Sequence, residues 1–548
     1  MKRTGGILGI LAYSTALLAF STLTGCVDDK LVGGKGGSGG TGGAGGQTSS
    51  TGGSTGTAGQ GGMGTTSGTG GSGATGGGST SSTGGSTSGT GGTGGMPPML
   101  DGWARQFGDD TRQEVTDVGV DSNGNIVMVG LMRGTFAMDG ATLVANSIPN
   151  KPPTDSDIFV AKLDPTGAVL WAKNFGNGTP QDCYGVAVDG AGNIAVIGGF
   201  RLTIDFGGGG LTSTGSEQDL FIVKFDGSGN HLWSKRFGDT AMQPGYLGGE
   251  IAFDNAGNVI AAGDFRGSMD LGGGPLTTAG QYDSDLFLAK FDPNGNHIYS
   301  KRFGDAESMG QWGEELNDLT VDVNGNAVIS GSYEGTVNFG GGALTTSNGG
   351  FLAKFDGQGN HVWSKVFGQF GAQITTHTIG PQGEIYLAAN FNDVVDFGGG
   401  QVVENNGTKV IVRLDSAGNH VWTKQYKGPG FVNDMAASPS GNVTFVGSAP
   451  DVFDLTGLGG PTLDSFGLLT NGAIVTVDQN GSFVTAKLYG PPSALNSPER
   501  RFEGVAYDSS GYLVVGGSFN ATIDMGFGLM VTADKPDMLI AKLPQVLP

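Results

Sequence analysis

Residues Asp219 to Gly238 read DLFIVKFDGSGNHLWSKRFG, and this stretch decides the fold. DLFIVKF is an apolar run of strand length. It ends in Asp226-x-x-Gly229-Asn230, a tight-turn signal in which Asp caps the turn and Gly supplies positive φ. HLWSKRF then returns as a second strand, with Trp233 and Phe237 four apart and so on one face. Near-copies begin at Asp157, Asp285, Gly350, Lys409 and Gly472, so the hairpin is the unit of construction.

Around it a longer period appears, marked by Trp103, Trp171, Trp233, Tyr299, Trp363, Trp422 and Thr485. Each unit divides into four β-like runs, which in the second unit are YGVAVD, IAVIGGF, LFIVKF and HLWSKRF. Four strands per repeat predict the blades of an all-β propeller. First hairpins turn at Asn123-Gly124, Ala191-Gly192, Ala256-Gly257, Asn324-Gly325, Gln382-Gly383, Ser440-Gly441 and Ser510-Gly511, which makes seven blades. The seventh stops after a third strand, MLIAKL, while the array opens with an orphan outer strand, WARQF, from Trp103 to Phe107. Pairing these two fragments would complete the blade and close the ring. An open solenoid would leave both as bare edges.

The pattern resembles the bacterial β-propeller repeat (SBBP-type) family of secreted and surface lipoproteins. VAVDGAGNIAVIGGF, the loop DFGGG and LT, and DLFIVKFDGSGNHLWSKRFG carry the resemblance, which spans about 101 to 548. It implies the fold and little about activity. Units five and six depart from it with Gly380 and Ser438 at the turn aspartate, which puts their local turn geometry in question.

The N-terminus gives a cellular address. Lys2 and Arg3 precede an apolar run, Ile7 to Phe20, too short for a permanent span. It ends in Leu23-Thr24-Gly25-Cys26, which resembles a bacterial lipobox. Residues 1–25 are thus expected to be a lipoprotein signal peptide, with Cys26 as the lipidated N-terminus. Val27 after the cysteine points to outer-membrane delivery, facing either the surface or the periplasm. From 26 to 100 the chain is almost wholly Gly, Ser and Thr, which predicts a disordered tether, since nothing there can bury an apolar face. About 65 such residues reach roughly 45 Å r.m.s..

Composition excludes some classes of function. With 108 glycines in 548 residues and a net charge of -21, no basic patch exists to neutralise phosphates, so no nucleic-acid partner is expected. The cysteines are Cys26 and Cys183, and once Cys26 carries lipid no intrachain disulfide remains.

No catalytic residues, cofactor or metal site are assigned. Each Asp-x-x-Gly-Asn turn offers one acid, where a calcium loop offers several. His231, His297, His361 and His420 each sit two residues before an outer-strand aromatic. Copies on adjacent blades would lie roughly 17 Å apart from the strand spacing, too far to share a metal. His377 stands outside the pattern, with no Ser or Cys partner near it in sequence. The outer-strand aromatics are expected to wedge between blades, with Lys173 extending outward.

The second-to-third-strand connections are long and share one face with the variable inter-blade connections. Binding surfaces tend to be built from such loops, which makes this the expected working face. Candidate binding residues there are Tyr246, Trp312, Glu314, Glu315, Arg500 and Arg501, with Arg133, Arg201 and Arg266 repeated at the start of the long connection. The reading is a Gram-negative envelope lipoprotein, held to the membrane by its lipid, whose propeller head binds a protein or glycan without catalysis. The alternatives are a periplasmic outer-membrane assembly factor and a propeller-type polysaccharide lyase or hydrolase.

Overall fold

A computed structural model describes residues 102–544, apart from the segments 147–155, 217, 240–247, 279–283, 305–312, 369–370, 405–407, 429–430, 450–451, 465–470, 491–499 and 533–534. Cys26, the signal segment and the tether lie outside the described residues. Seven four-stranded antiparallel blades follow one another at 113–175, 182–237, 249–303, 315–367, 373–427, 431–489 and 500–543. Trp103–Phe107 supplies the outer strand of the seventh, pairing Trp103 with Lys542 and Phe107 with Met538. The ring closes where the two sequence fragments required it.

The core lies between blades. Seven buried clusters each draw side chains from two neighbours; one joins Met538, Ile540 and Phe107 of blade 7 to Ile126, Met128 and Phe159 of blade 1. Strands two and three are buried on both faces and read as continuous apolar runs for that reason.

The aromatic wedge is specific. Trp171 of blade 1 lies on Gly229 in the third-to-fourth turn of blade 2, where a Cβ would meet the indole, and its Nε1 donates to the Gly227 carbonyl at 3.2 Å. Trp233 repeats this on Gly295 and Pro293, Tyr299 on Gly359, Trp363 on Gly418, and Trp422 on Gly481 and Gln479. Lys173, expected to extend outward, instead donates to the Gly229 carbonyl of the next blade. Each of these aromatics, with the lysine two residues on beside it, therefore seats on the neighbour's turn glycine. Blade 7 clamps blade 1 through Trp103, whose Nε1 donates to Pro165, and Arg105, which reaches Gly167. Thr485 breaks the series because blade 7, interrupted by the chain ends, has no third-to-fourth turn for blade 6 to grip.

Beneath the turns, blades 1, 3, 4 and 7 tie their first hairpin to their third strand. Lys162 pairs with Asp121 at 3.0 Å, Lys290 with Asp254 at 2.9 Å, Lys354 with Asp322 at 2.9 Å and Lys542 with Asp508 at 2.8 Å. Against the upward push of burial, hydrogen bonds from Asn125 and Lys162 hold the Asp121 carboxyl below the ordinary carboxylate range. In blade 5, where Gly380 replaces the aspartate, Glu384 accepts the turn amide of Gln382 at 2.8 Å. The turn closes as elsewhere, Gly383 donating to Gly380 at 3.0 Å, and so does the Ser438 turn of blade 6.

The long connections are not open loops. They fold as two-stranded hairpins, such as Thr203–Asp205 with Gly210–Thr212, that run down the rim from one face toward the other. Phe206 in one of them packs 5.1 Å from Phe175 of the preceding blade and 4.7 Å from Phe221 of its own. In blade 6 the hairpin pairs Asp454 directly with Lys427 on the outer strand of blade 5. Covering the grooves between outer strands protects edges that would otherwise invite pairing. The face expected to carry these connections is left to the inter-blade segments.

Trp103→Ala should lower stability by roughly 2–4 kcal/mol, the cost of truncating a large packed aromatic. Thr485→Ala should stay within about 0.5 kcal/mol. Thermal melts of the two variants beside the parent protein test the contrast.

Candidate functional site

The four repeated histidines are explained by the rim hairpins. In blade 2 the His231 ring fills the space beside Gly208, where a Cβ would collide with it, and Nε2 lies 3.0 Å from Ser234 Oγ. His297 sits against Gly273, His361 against Gly341 and His420 against Gly399 in the same way. Burial pulls His231 below the ordinary imidazole value, opposed by the Asp205 charge. The GGG motif and the histidine are therefore one contact. In blade 6 the pair becomes Gly460 with Phe483. Blade 7 inverts it: Phe527 replaces the middle glycine and packs on Gly102.

His377 does have partners, which sequence proximity hid. Across the blade 4–blade 5 interface, its Nδ1 lies 2.9 Å from Ser330 Oγ and 3.3 Å from Asp318 Oδ2, and its Nε2 lies 2.6 Å from Thr320 Oγ1. Asp, His and hydroxyl side chains are the components of a nucleophilic triad. His377 and Ser330 are 0 % exposed and Asp318 is 1 %, while Thr320 is half-buried. The group is a hydrogen-bond network joining two blades.

A related device recurs nearer the axis. Six inner strands carry a β-bulge, and an acid follows it in three of them. Asp117 accepts the amide of Val186 at 2.8 Å, Asp318 that of His377 at 2.7 Å and Asp434 that of Val505 at 2.7 Å, each in the next blade. The lone acid within the apolar runs TDVGV, NDLTV and NDMAA was the available signal for these residues. Among the described residues, no three His, Cys, Asp or Glu side chains gather as a metal ion would require.

The expected binding residues scatter. Tyr246 and Trp312 lie outside the described residues. Glu315 is exposed at the start of an inner strand, and Arg501 is half-buried in the equivalent strand of blade 7. Glu314 and Arg500, expected on the surface, are instead buried, at the register position that Gln113 and Gln181 occupy in blades 1 and 2. There Gln113 caps the Arg133 carbonyl at 3.0 Å, and Arg500 caps that of Thr522 at 2.8 Å. Burial pushes the Arg500 guanidinium down to about 10. Arg133, Arg201 and Arg266 are half-buried at equivalent sites on successive blades, an arc and not a cluster. Cys183 is buried between blades 1 and 2, and burial raises its thiol pKa.

No known family model matches the chain. It is 25 % identical over 316 residues to an uncharacterized WD repeat-containing protein, L264, of Acanthamoeba polyphaga mimivirus, covering 46 % of this chain and 22 % of that protein. It is 28 % identical over 204 residues to the regulatory protein FlaEY of Caulobacter vibrioides, covering 36 % and 20 %. The matches thus span about a fifth of either relative. Among solved structures, the acylaminoacyl peptidase of Pyrococcus horikoshii aligns over 75 % of this chain and 51 % of its own, at 10 % identity and a TM-score of 0.37. A likeness that weak carries no argument about activity.

Gly208→Ala should cost about 1–3 kcal/mol through overpacking against His231. Adding His231→Ala should restore most of the loss, giving a coupling of at least 1 kcal/mol in a double-mutant cycle by denaturant unfolding.

Proposed function

We propose that the chain is a cell-envelope lipoprotein of the bacterial β-propeller repeat type, anchored through Cys26, whose propeller head is a non-catalytic binding or scaffolding module. One observation carries the reading. The side chains that could have done chemistry are engaged in holding the ring together: four histidines on glycine turns, His377 sealed between blades, and inner-strand acids on neighbouring amides. A rigid frame that commits its reactive groups to closure leaves the segments between blades as its variable surface. The working face is the one bearing Glu315 and Arg501, and its ligand is a protein or a glycan. The names of the two curated relatives, a WD repeat-containing protein and a regulatory protein, are in keeping with a binding role.

The address and the binding are tested separately. Metabolic labelling with a fatty-acid analogue should mark the parent chain and leave Cys26→Ser unmarked; labelling of both would remove the anchor from the proposal. Protease treatment of intact cells should release the head if it is displayed outside, whereas full protection assigns it to the periplasmic side. Cross-linking of the full chain in cells should capture a partner that Glu315→Lys/Arg501→Glu loses without a change in melting temperature. Hydrolysis or elimination of a polysaccharide by the purified chain would overturn the non-catalytic reading.

A further inference from the structure

The third strand of most blades begins with an aspartate, and the outer strand normally answers it. Asp219 is met by Arg236 and Asp285 by Arg302. Asp157 accepts from Asn146 and from Asn174, the latter at 3.1 Å. In each case the glycine ending the outer strand lies against the carboxylate, where a side chain would collide with it.

At the seam two further acids, Asp109 and Asp110, stand near the carboxylate. Asp537 opens the third strand of blade 7, is 4 % exposed, and faces Gly108 immediately beyond the closing strand. The outer-strand position that holds Arg236 and Arg302 in blades 2 and 3 is here Gln106, a neutral amide like Asn174 of blade 1, and it donates to Asp537 Oδ2 and to the Val531 carbonyl. Asp537 Oδ1, like the Oδ1 of Asp157 and of Asp285, is buried without a hydrogen-bond partner among the described residues.

Among the described residues, the neighbouring elements bring no cation into an ion pair with Asp537. From the segment after the closing strand, Asp109 and Asp110 both add negative charge near it. Arg105, on the same strand, is turned to Asp139. Arg500, two strands away across Phe519, donates through Nε to the Thr522 carbonyl. Lys535 precedes the strand and is exposed, and Arg112 pairs with Glu114. Blade 6 adds no clamp on this blade, because Thr485 stands where the aromatic would be.

We propose that the closing strand Trp103–Phe107 is a pH-sensitive latch, held tightest when Asp537 is protonated and loosened when it ionises. The group titrates in a useful range: burial, partly offset by the Gln106 hydrogen bond and reinforced by Asp109 and Asp110, raises its pKa to about 6. The folded value lies above the unfolded one, about 3.9. The stabilisation is therefore complete below the unfolded value and is lost as pH rises through 6. Between pH 5 and 7.5 these two values correspond to about a tenfold fall in the closing equilibrium. The turn aspartates, held below the ordinary range, titrate at lower pH and stay ionised across this window.

Hydrogen exchange of the full-length protein tests this, with protection corrected for the intrinsic pH dependence of exchange. Peptides covering 103–107 and 537–543 should lose about tenfold in protection from pH 5 to 7.5 relative to those covering 194–200. Asp537→Asn should abolish the difference; blade 6 already carries Asn471 at this position. Gln106→Arg, restoring the pairing of blades 2 and 3, should raise protection at pH 7.5 and also flatten the response. Equal protection at both pH values in the parent protein, or an undiminished pH response in Asp537→Asn, would overturn the latch.

Discussion

The structure depends on each blade holding the next by its turn. An isolated four-stranded blade has two apolar faces and cannot satisfy either alone. Packing it against a neighbour buries both, but a flat apolar interface does not by itself fix how far one blade slides or tilts on another. The aromatic clamp fixes that register: the ring needs a glycine beneath it, Trp171 and Trp233 add a hydrogen bond to a turn carbonyl, and Lys173 reaches a second one. Gly229 satisfies the first need twice over, since φ +77° suits the turn and the absent Cβ leaves room for Trp171.

Several oddities of the sequence follow from this one requirement. Blade 7 is split, so it lacks the receiving turn, and Thr485 replaces the aromatic that would have reached it. The histidine that packs on the rim hairpin in blades 2 to 5 is lost at the seam as well, and Phe527 fills the vacated volume. The carboxylate opening the third strand meets Gln106 there, where blades 2 and 3 have an arginine. Closing a ring with a non-contiguous strand gathers several departures from the repeat at the seam.

The interface between blades 4 and 5 departs differently. Elsewhere the corresponding positions are mainly apolar, as with Val118, Val186 and Val505. Here Asp318, Thr320, Ser330, Thr376 and His377 form a buried polar network in which every named side chain has a partner. Such a network adds little net stability over packed hydrocarbon, but it penalises wrong neighbours, because a mispaired blade would leave buried donors and acceptors unsatisfied. In a ring of near-identical blades, distinguishing neighbours is a real demand.

Much of the fold was legible in the chain. The spacing of Asp-x-x-Gly-Asn turns, the strand-length apolar runs and the two complementary fragments at its ends determined the blade count and the closure, because these rest on local turn chemistry and on the need to pair every edge. The candidate site was legible only in part. Loop length placed Arg133, Arg201 and Arg266 at equivalent positions, but not the descent of the long connections onto the rim, which depends on Phe206 finding Phe175 of another blade. Nor could a one-dimensional reading distinguish Glu315, exposed, from Glu314, buried beside it. The meeting of His377 with Ser330 and Asp318, and the isolation of Asp537 from any cation, were decided by tertiary structure alone. Both arise from side chains of different blades or of opposite ends of the chain, and their proximity exists only once the ring is closed.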